Sequence, residues 1–204
     1  MQLVAYGAQD IYLTGNPQIT VFKVVYRRHT NFSMETIEQT MNGQSNAVGG
    51  QSSTVTISRN GDLVSNVYVT TDTPKVTRGS RLIKDVQLDI GGQRIDKHTS
   101  QWMDVWNELS TPVSKAIGLK SMQCDVGISD SVHGKVGVSL VQVPLQFWFC
   151  KNPGLALPLI ALQYHEVKLI FSWGNKSDYA PGGLDAGVSG AACKVWIDYI
   201  YLDT

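Results

Sequence analysis

The sequence predicts an all-β fold, a sandwich or barrel of eight antiparallel strands. Three observations predict it. Nineteen glycines in 204 residues, with abundant Ser, Thr and Val, suit short strands joined by loops. Eight stretches read as strands and are separated by turn chemistry. Helical spacing is confined to two short stretches, so there is no alternation of strands and helices that would build a parallel sheet.

The chain opens with a segment, 1–32, that is not strand-like. Asn16 can cap a helix and Pro17 suits its first position, where a missing N–H costs nothing. Ile19, Phe22 and Tyr26 follow at i, i+3 and i+7, and predict one apolar stripe of a short helix. Lys23, Arg27 and Arg28 lie off that stripe, toward the end that the helix dipole makes favourable for cations. The strand candidates are 33–42, 52–59, 62–71, 82–90, 93–98, 139–149, 164–173 and 192–203. Alternation is clearest in Val86-Gln87-Leu88-Asp89-Ile90 and from Val195 to Tyr201. Asn60-Gly61 and Gly91-Gly92 are tight-turn pairs, and Asn152-Pro153-Gly154 interrupts the chain again.

If successive strands run antiparallel, their connections alternate between two ends of the barrel. Connections 43–51, 72–81, 99–138 and 174–191 then share one elaborated end. The opposite end has two tight turns and the apolar connection 151–163, and the chain enters and leaves there. The longest connection contains a second predicted helix. Thr99 or Ser100 caps it, and Trp102, Val105, Trp106 and Leu109 form its apolar face. Those two tryptophans either fasten the helix to the barrel or anchor a neighbouring subunit, since Trp is enriched at binding hot spots. Residues 110–137 read as irregular.

Composition removes several function classes. Lys and Arg total 17 and so do Asp and Glu, which argues against bulk electrostatic binding of nucleic acid. Cys124, Cys150 and Cys193 are widely spaced without a CxxC pair, so three reduced thiols are expected rather than zinc or redox chemistry. Neither a membrane-spanning run nor a secretory signal is read in the sequence. His29, His98, His133 and His165 lack metal-ligand spacing, and His165-Glu166 reads as an alternating strand pair. Nucleophile-elbow, P-loop and dinucleotide fingerprints are missing, and Asp85 with Asp89 is an ordinary same-face pair. Thus no catalytic, cofactor-binding or metal site is predicted. Asn31-Phe32-Ser33 and Asn175-Lys176-Ser177 fit the glycosylation tripeptide, and Asn175 is the better placed, in an elaborated-end loop.

Longer stretches carry a family resemblance. Residues 3–10 (LVAYGAQD), 12–20 (YLTGNPQIT) and 22–32 (FKVVYRRHTNF) are similar to the N-terminal signature of the major capsid proteins of nucleocytoplasmic large DNA viruses, especially those of algal viruses. The resemblance continues at 57–63 (ISRNGDL), 144–150 (PLQFWFC), 152–167 (NPGLALPLIALQYHEV) and 197–204 (IDYIYLDT), nearly the whole chain. It implies an eight-stranded jelly-roll barrel over 33–204, the first of two in the full-length family, with 1–32 as a base segment. It further implies a structural subunit of homotrimeric, pseudo-hexagonal capsomers that tile an icosahedral shell beside neighbouring capsomers. Minor capsid proteins and an internal membrane would lie at the base, facing Lys23, Arg27 and Arg28, with no direct contact to nucleic acid. The expected location is the virion, after assembly in the host cytoplasm. Two alternatives stand: a single-barrel vertex or minor capsid protein of the same lineage, and a carbohydrate-binding jelly-roll module.

Overall fold

In the computed structural model, residues 31–72, 76, 78–124, 140–179 and 191–202 are described. Two compact units are formed, Ser33–Tyr201 and a small terminal one, Met1–Phe32 with Leu202–Thr204. Of the terminal unit, Asn31, Phe32 and Leu202 fall among the described residues, and all three are exposed. The predicted N-terminal helix, with Lys23, Arg27 and Arg28, lies outside the described residues.

The strands are β1 (Phe32–Gln39), β2 (Met41–Gly43), β3 (Asn46–Ala47), β4 (Ser52–Thr56), β5 (Leu63–Thr71), β6 (Ile83–Ile90), β7 (Gln93–Thr99), β8 (Val141–Pro144), β9 (Leu157–Pro158), β10 (Val167–Trp173) and β11 (Ala191–Leu202). They form two antiparallel sheets. One has the order β1-β11-β5-β8, with β3 beside β11 and β9 beside β5; the other has the order β2-β4-β10-β6-β7. Consecutive strands therefore rarely share a sheet, and the chain crosses between layers repeatedly. The layers enclose one core. Val167, Leu169, Phe171 and Trp173 point inward from β10, facing Val64, Val67 and Val69 of β5 and Val195, Ile197 and Tyr199 of β11. The alternation that burial imposes on a half-covered strand is unbroken along β10. Each large side chain removed from water contributes about 1.5–3 kcal/mol.

Polar tips of core aromatics tie loops to the sandwich. Trp173 donates its indole N–H to Ser53 Oγ (2.7 Å) and Gln44 O (3.1 Å). Tyr179 donates to Ala47 O at 2.8 Å and Tyr199 to Ser58 O at 2.7 Å. Gly174 passes so close to the β5–β6 connection that a Cβ there would lie 2.1 Å from Arg81 O.

Several expectations are corrected. The run 33–42 is two strands, broken at Thr40, and β1 and β2 belong to different sheets. Asn60-Gly61 does not close a hairpin, because β4 and β5 also lie in different sheets. Gly91-Gly92 does close one: φ values of +62° and +86° suit the primed turn between β6 and β7. The expected strand 139–149 stops at Pro144, which has no N–H to donate, and Trp148–Lys151 becomes a helical turn. His165 and Glu166 precede β10 and are both exposed, rather than alternating within a strand. Residues 110–137 are not uniformly irregular. After α1 (Ser100–Ser110), Pro112 leads into α2 (Val113–Gln123), which ends at Cys124 in the left-handed conformation.

The connections gather as the alternation implies. The one after β3 meets β10 through Trp173 N–H to Gln51 O (3.0 Å). Gly174 N–H donates to Leu82 O (2.8 Å), and Arg81 pairs with Asp104 of α1 at 2.7 Å. Described parts of four connections thus share one end. At the other end Gly91 N–H donates to Glu166 O (2.9 Å) and Arg59 to Leu162 O (2.7 Å).

Candidate assembly surfaces

A column of rings joins α1 to the barrel. Thr99 caps the helix, its hydroxyl accepting from the Trp102 N–H at 3.3 Å. Trp106 stacks on Trp102 (5.6 Å), Trp102 on His98 (4.1 Å), His98 on Phe147 (4.6 Å) and Phe147 on Phe149 (5.7 Å). Lys151 Nζ lies 4.2 Å over the Trp106 ring, a cation–π contact. Both tryptophans are half-buried in this column. The inward face of α1 differs from the predicted one: Met103 is buried, whereas Val105 and Leu109 are exposed. Val113 (90% exposed) and Ile117 (81%) of α2 likewise face water.

A second surface is a groove of about 670 Å3 on the outer face of the β1-β11-β5-β8 sheet. Trp196 of β11, Tyr68 of β5 and Pro144 of β8 lie abreast by register. Leu140 and Met122 flank them from the long connection. Several of the groove's polar groups have partners. Asp198 accepts from Thr36 Oγ1 (2.6 Å) and Asn66 Nδ2 (3.1 Å), and Trp196 donates to Thr70 Oγ1 (3.0 Å). Lys194 reaches Glu38 at 3.3 Å. Burial, then the nearby Asp198 charge, raises the Tyr68 pKa. The sequence reading missed this groove, though an outward Trp between inward Val195 and Ile197 was its signal.

The remaining polar candidates have structural surroundings. Asp85 accepts from Gln87 (3.2 Å) and Ser172 (3.1 Å) and lies 3.5 Å from Lys97. Asp89 is opposite Arg94 across the β6–β7 pair. Glu166 pairs with Lys168 at 2.7 Å. Among the described residues, no three His, Cys, Asp or Glu side chains cluster as a metal site. Burial pushes the Cys150 and Cys193 thiols up to about 12 and raises that of Cys124, so none is a thiolate at neutral pH. Asn175 is exposed, at the elaborated end, with its amide oxygen close against Gly49.

Two antiparallel sheets packed around a hydrophobic interior define a β-sandwich protein. The family model described as the major capsid protein N-terminus matches residues 20–203, and the chain belongs to that major capsid protein family. It is 55% identical to a major capsid protein of Pyramimonas orientalis virus, over 100% of this chain and 53% of that protein. It is 47% identical to one of Paramecium bursaria Chlorella virus 1, over 100% of this chain and 47% of the relative. The fold matches a chain of the PBCV-1 virus capsid at a TM-score of 0.70 and 37% identity, covering 90% of this chain and 46% of the other. The chain therefore spans about half the length of the relatives it matches.

Proposed function

We propose that this chain is the N-terminal half of a major capsid protein, a non-catalytic building block of a large DNA virus shell. Its 55% identity to a major capsid protein along the whole chain carries the reading. The strand order supports an eight-stranded jelly roll of β1-β11-β5-β8 on β4-β10-β6-β7, the three shortest strands being additions at its margins. In this reading a second barrel follows, and three full-length chains form a pseudo-hexagonal capsomer within the virion. Lys23, Arg27 and Arg28 belong to the inner base, toward minor capsid proteins and the acidic headgroups of an internal membrane. Each such cation near a membrane surface contributes about 1 kcal/mol. Trp102 and Trp106 stand behind the contact between subunits, made by the exposed Val105, Leu109, Val113 and Ile117 beside them. Asn175 is the glycan acceptor of the outer end. The buried, protonated thiols suit assembly in the reducing host cytoplasm.

Native mass spectrometry of protein released gently from virions tests this. The expected species is a chain about twice this length, in threes, since the matched share of the relatives is 47–53%. A chain of 22.4 kDa, alone or in fives, overturns it in favour of a single-barrel vertex or accessory protein.

A further inference from the structure

Where α1 and α2 meet the short helical turn Gly79–Leu82, they leave a cleft of about 410 Å3. Local sequence builds it. Thr111 closes α1 by donating its N–H to Asn107 O at 3.1 Å, and Pro112 turns the chain into α2. Gly79 lets the turn press on the end of α2, where a Cβ would lie 2.6 Å from Gln123 O. Ala116 and Leu119 of α2 give the cleft a half-buried aliphatic wall. The rest of the lining is polar. Of its two carboxylates, Asp104 is held by Arg81 at 2.7 Å, which leaves Glu108. Arg78 and Lys120 are exposed on the same cleft, and neither is in a described ion pair. Gln123 is 5% exposed, and its Nε2 has no hydrogen-bond partner among the described residues. Its Oε1 accepts from Asn107 Nδ2 at a long 3.5 Å. A buried donor without an acceptor is costly, and a ligand atom that accepts from it removes the cost.

We propose that this cleft binds a hydroxylated carboxylate of monosaccharide size, a uronic acid being the type. Each part of such a ligand has a counterpart. Arg78 and Lys120 supply the charge that the carboxylate needs, Arg78 with a planar fork of donors. Glu108 and the Asn107 and Gln123 amides, which together offer acceptors and donors, suit the ring hydroxyls. Ala116 and Leu119 suit the C–H face of the ring. The volume falls within the range of about 300–1,000 Å3 typical of small-molecule sites. A neutral sugar leaves both cations unused, and an inorganic anion leaves the amides and the aliphatic wall unused.

Saturation-transfer NMR titration of the full-length native oligomer with sodium glucuronate tests this. A dissociation constant of about 1 mM is expected, the scale for so small a ligand. Glucose has the ring without the carboxylate, and acetate the carboxylate without the ring. Each should bind at least about tenfold more weakly. Replacing both cations, Arg78→Gln with Lys120→Gln, should weaken glucuronate about tenfold or more, whereas Lys97→Gln on β7 leaves it unchanged. All three residues are exposed, and thermal melts matching the wild type establish that the variants fold. Acetate binding as tightly as glucuronate reduces the cleft to the site of an adventitious ion only and overturns the proposal. Glucose binding as tightly removes the role of the cations and overturns it too. So does the absence of saturable glucuronate binding, or binding that survives the double substitution, which places the sugar elsewhere on the protein.

Discussion

His98 is held in a place where charge is costly. Its ring is 5% exposed and sandwiched at 4.1 Å from Trp102 and 4.6 Å from Phe147. Nε2 lies 3.0 Å from Asp96 Oδ2, while Nδ1 is buried without a partner. Burial lowers the His98 pKa and outweighs the opposing pull of Asp96; the Lys151 charge adds slightly to the lowering. A base whose folded pKa lies below its unfolded value, about 6.5, binds more protons in the unfolded chain. Its contribution is therefore fully present above about pH 6.5 and is lost as pH falls through the depressed folded pKa. His98→Phe keeps a ring in the column and removes the titration. Thermal melts at pH 7 and pH 5 are expected to separate more for the wild type than for this variant. Equal separations would mean that His98 is protonated in the fold without cost. Trp173 illustrates the complementary case, a wholly buried ring whose one polar atom is satisfied twice, by Ser53 and Gln44. Nothing there changes with pH.

At the scale of elements, the consecutive helices α1 and α2 are the part with the least internal justification for their exposed residues. Val105, Leu109, Val113 and Ile117 face water, and the last two are almost fully exposed. Ile117→Asp removes no buried surface, so stability should change by less than about 0.5 kcal/mol. If these side chains meet a neighbouring copy, the proposed trimers of the full-length protein should dissociate at a protein concentration about tenfold higher, as expected for one poorly placed charge in a contact core. Analytical ultracentrifugation over a dilution series reads this, and an unchanged dissociation midpoint would remove the helices from the interface. The same elements mark where the sequence stopped being legible. β10 and β11 were read correctly in kind because each has one wet and one dry face, which writes a two-residue period into the chain. α2 carries no such mark: its apolar residues Val113, Ile117 and Leu119 do not line one buried stripe, and Gly118 lowers its helix propensity. β8 merged with an apolar run because Leu145, Phe147 and Phe149 are all buried, although only the residues through Pro144 pair as a strand. The groove escaped notice for a related reason. Its members Tyr68, Leu140 and Trp196 are far apart in sequence, and only the crossing of β5, β8 and β11 into one sheet brings them together.

The whole molecule is electrically balanced, and that bears on what it touches. Basic and acidic residues number 17 each. The described ion pairs, Arg81 with Asp104, Lys97 with Asp85, Lys168 with Glu166 and Lys194 with Glu38, lie on different elements and intersperse the two signs over the surface. Nucleic-acid binding of useful strength comes from releasing counterions along a track of phosphates, which needs an uninterrupted excess of Lys and Arg. On the two described sheet faces Lys97, Lys168 and Lys194 are each paired with a carboxylate, which interrupts such a track. The basic group Lys23, Arg27 and Arg28 supplies three cations, and neutralising about three phosphates gives only a shallow salt slope. Fluorescence anisotropy with a labelled duplex at about 150 mM salt should therefore report binding no tighter than about 10⁻⁴ M, in the non-specific range. A micromolar affinity that falls steeply with added salt would show a concentrated basic surface and would put this barrel in contact with the genome. Substituting Lys23, Arg27 and Arg28 together would then decide whether the base segment supplies it. The expected weak, sequence-independent binding is what the proposed shell role requires.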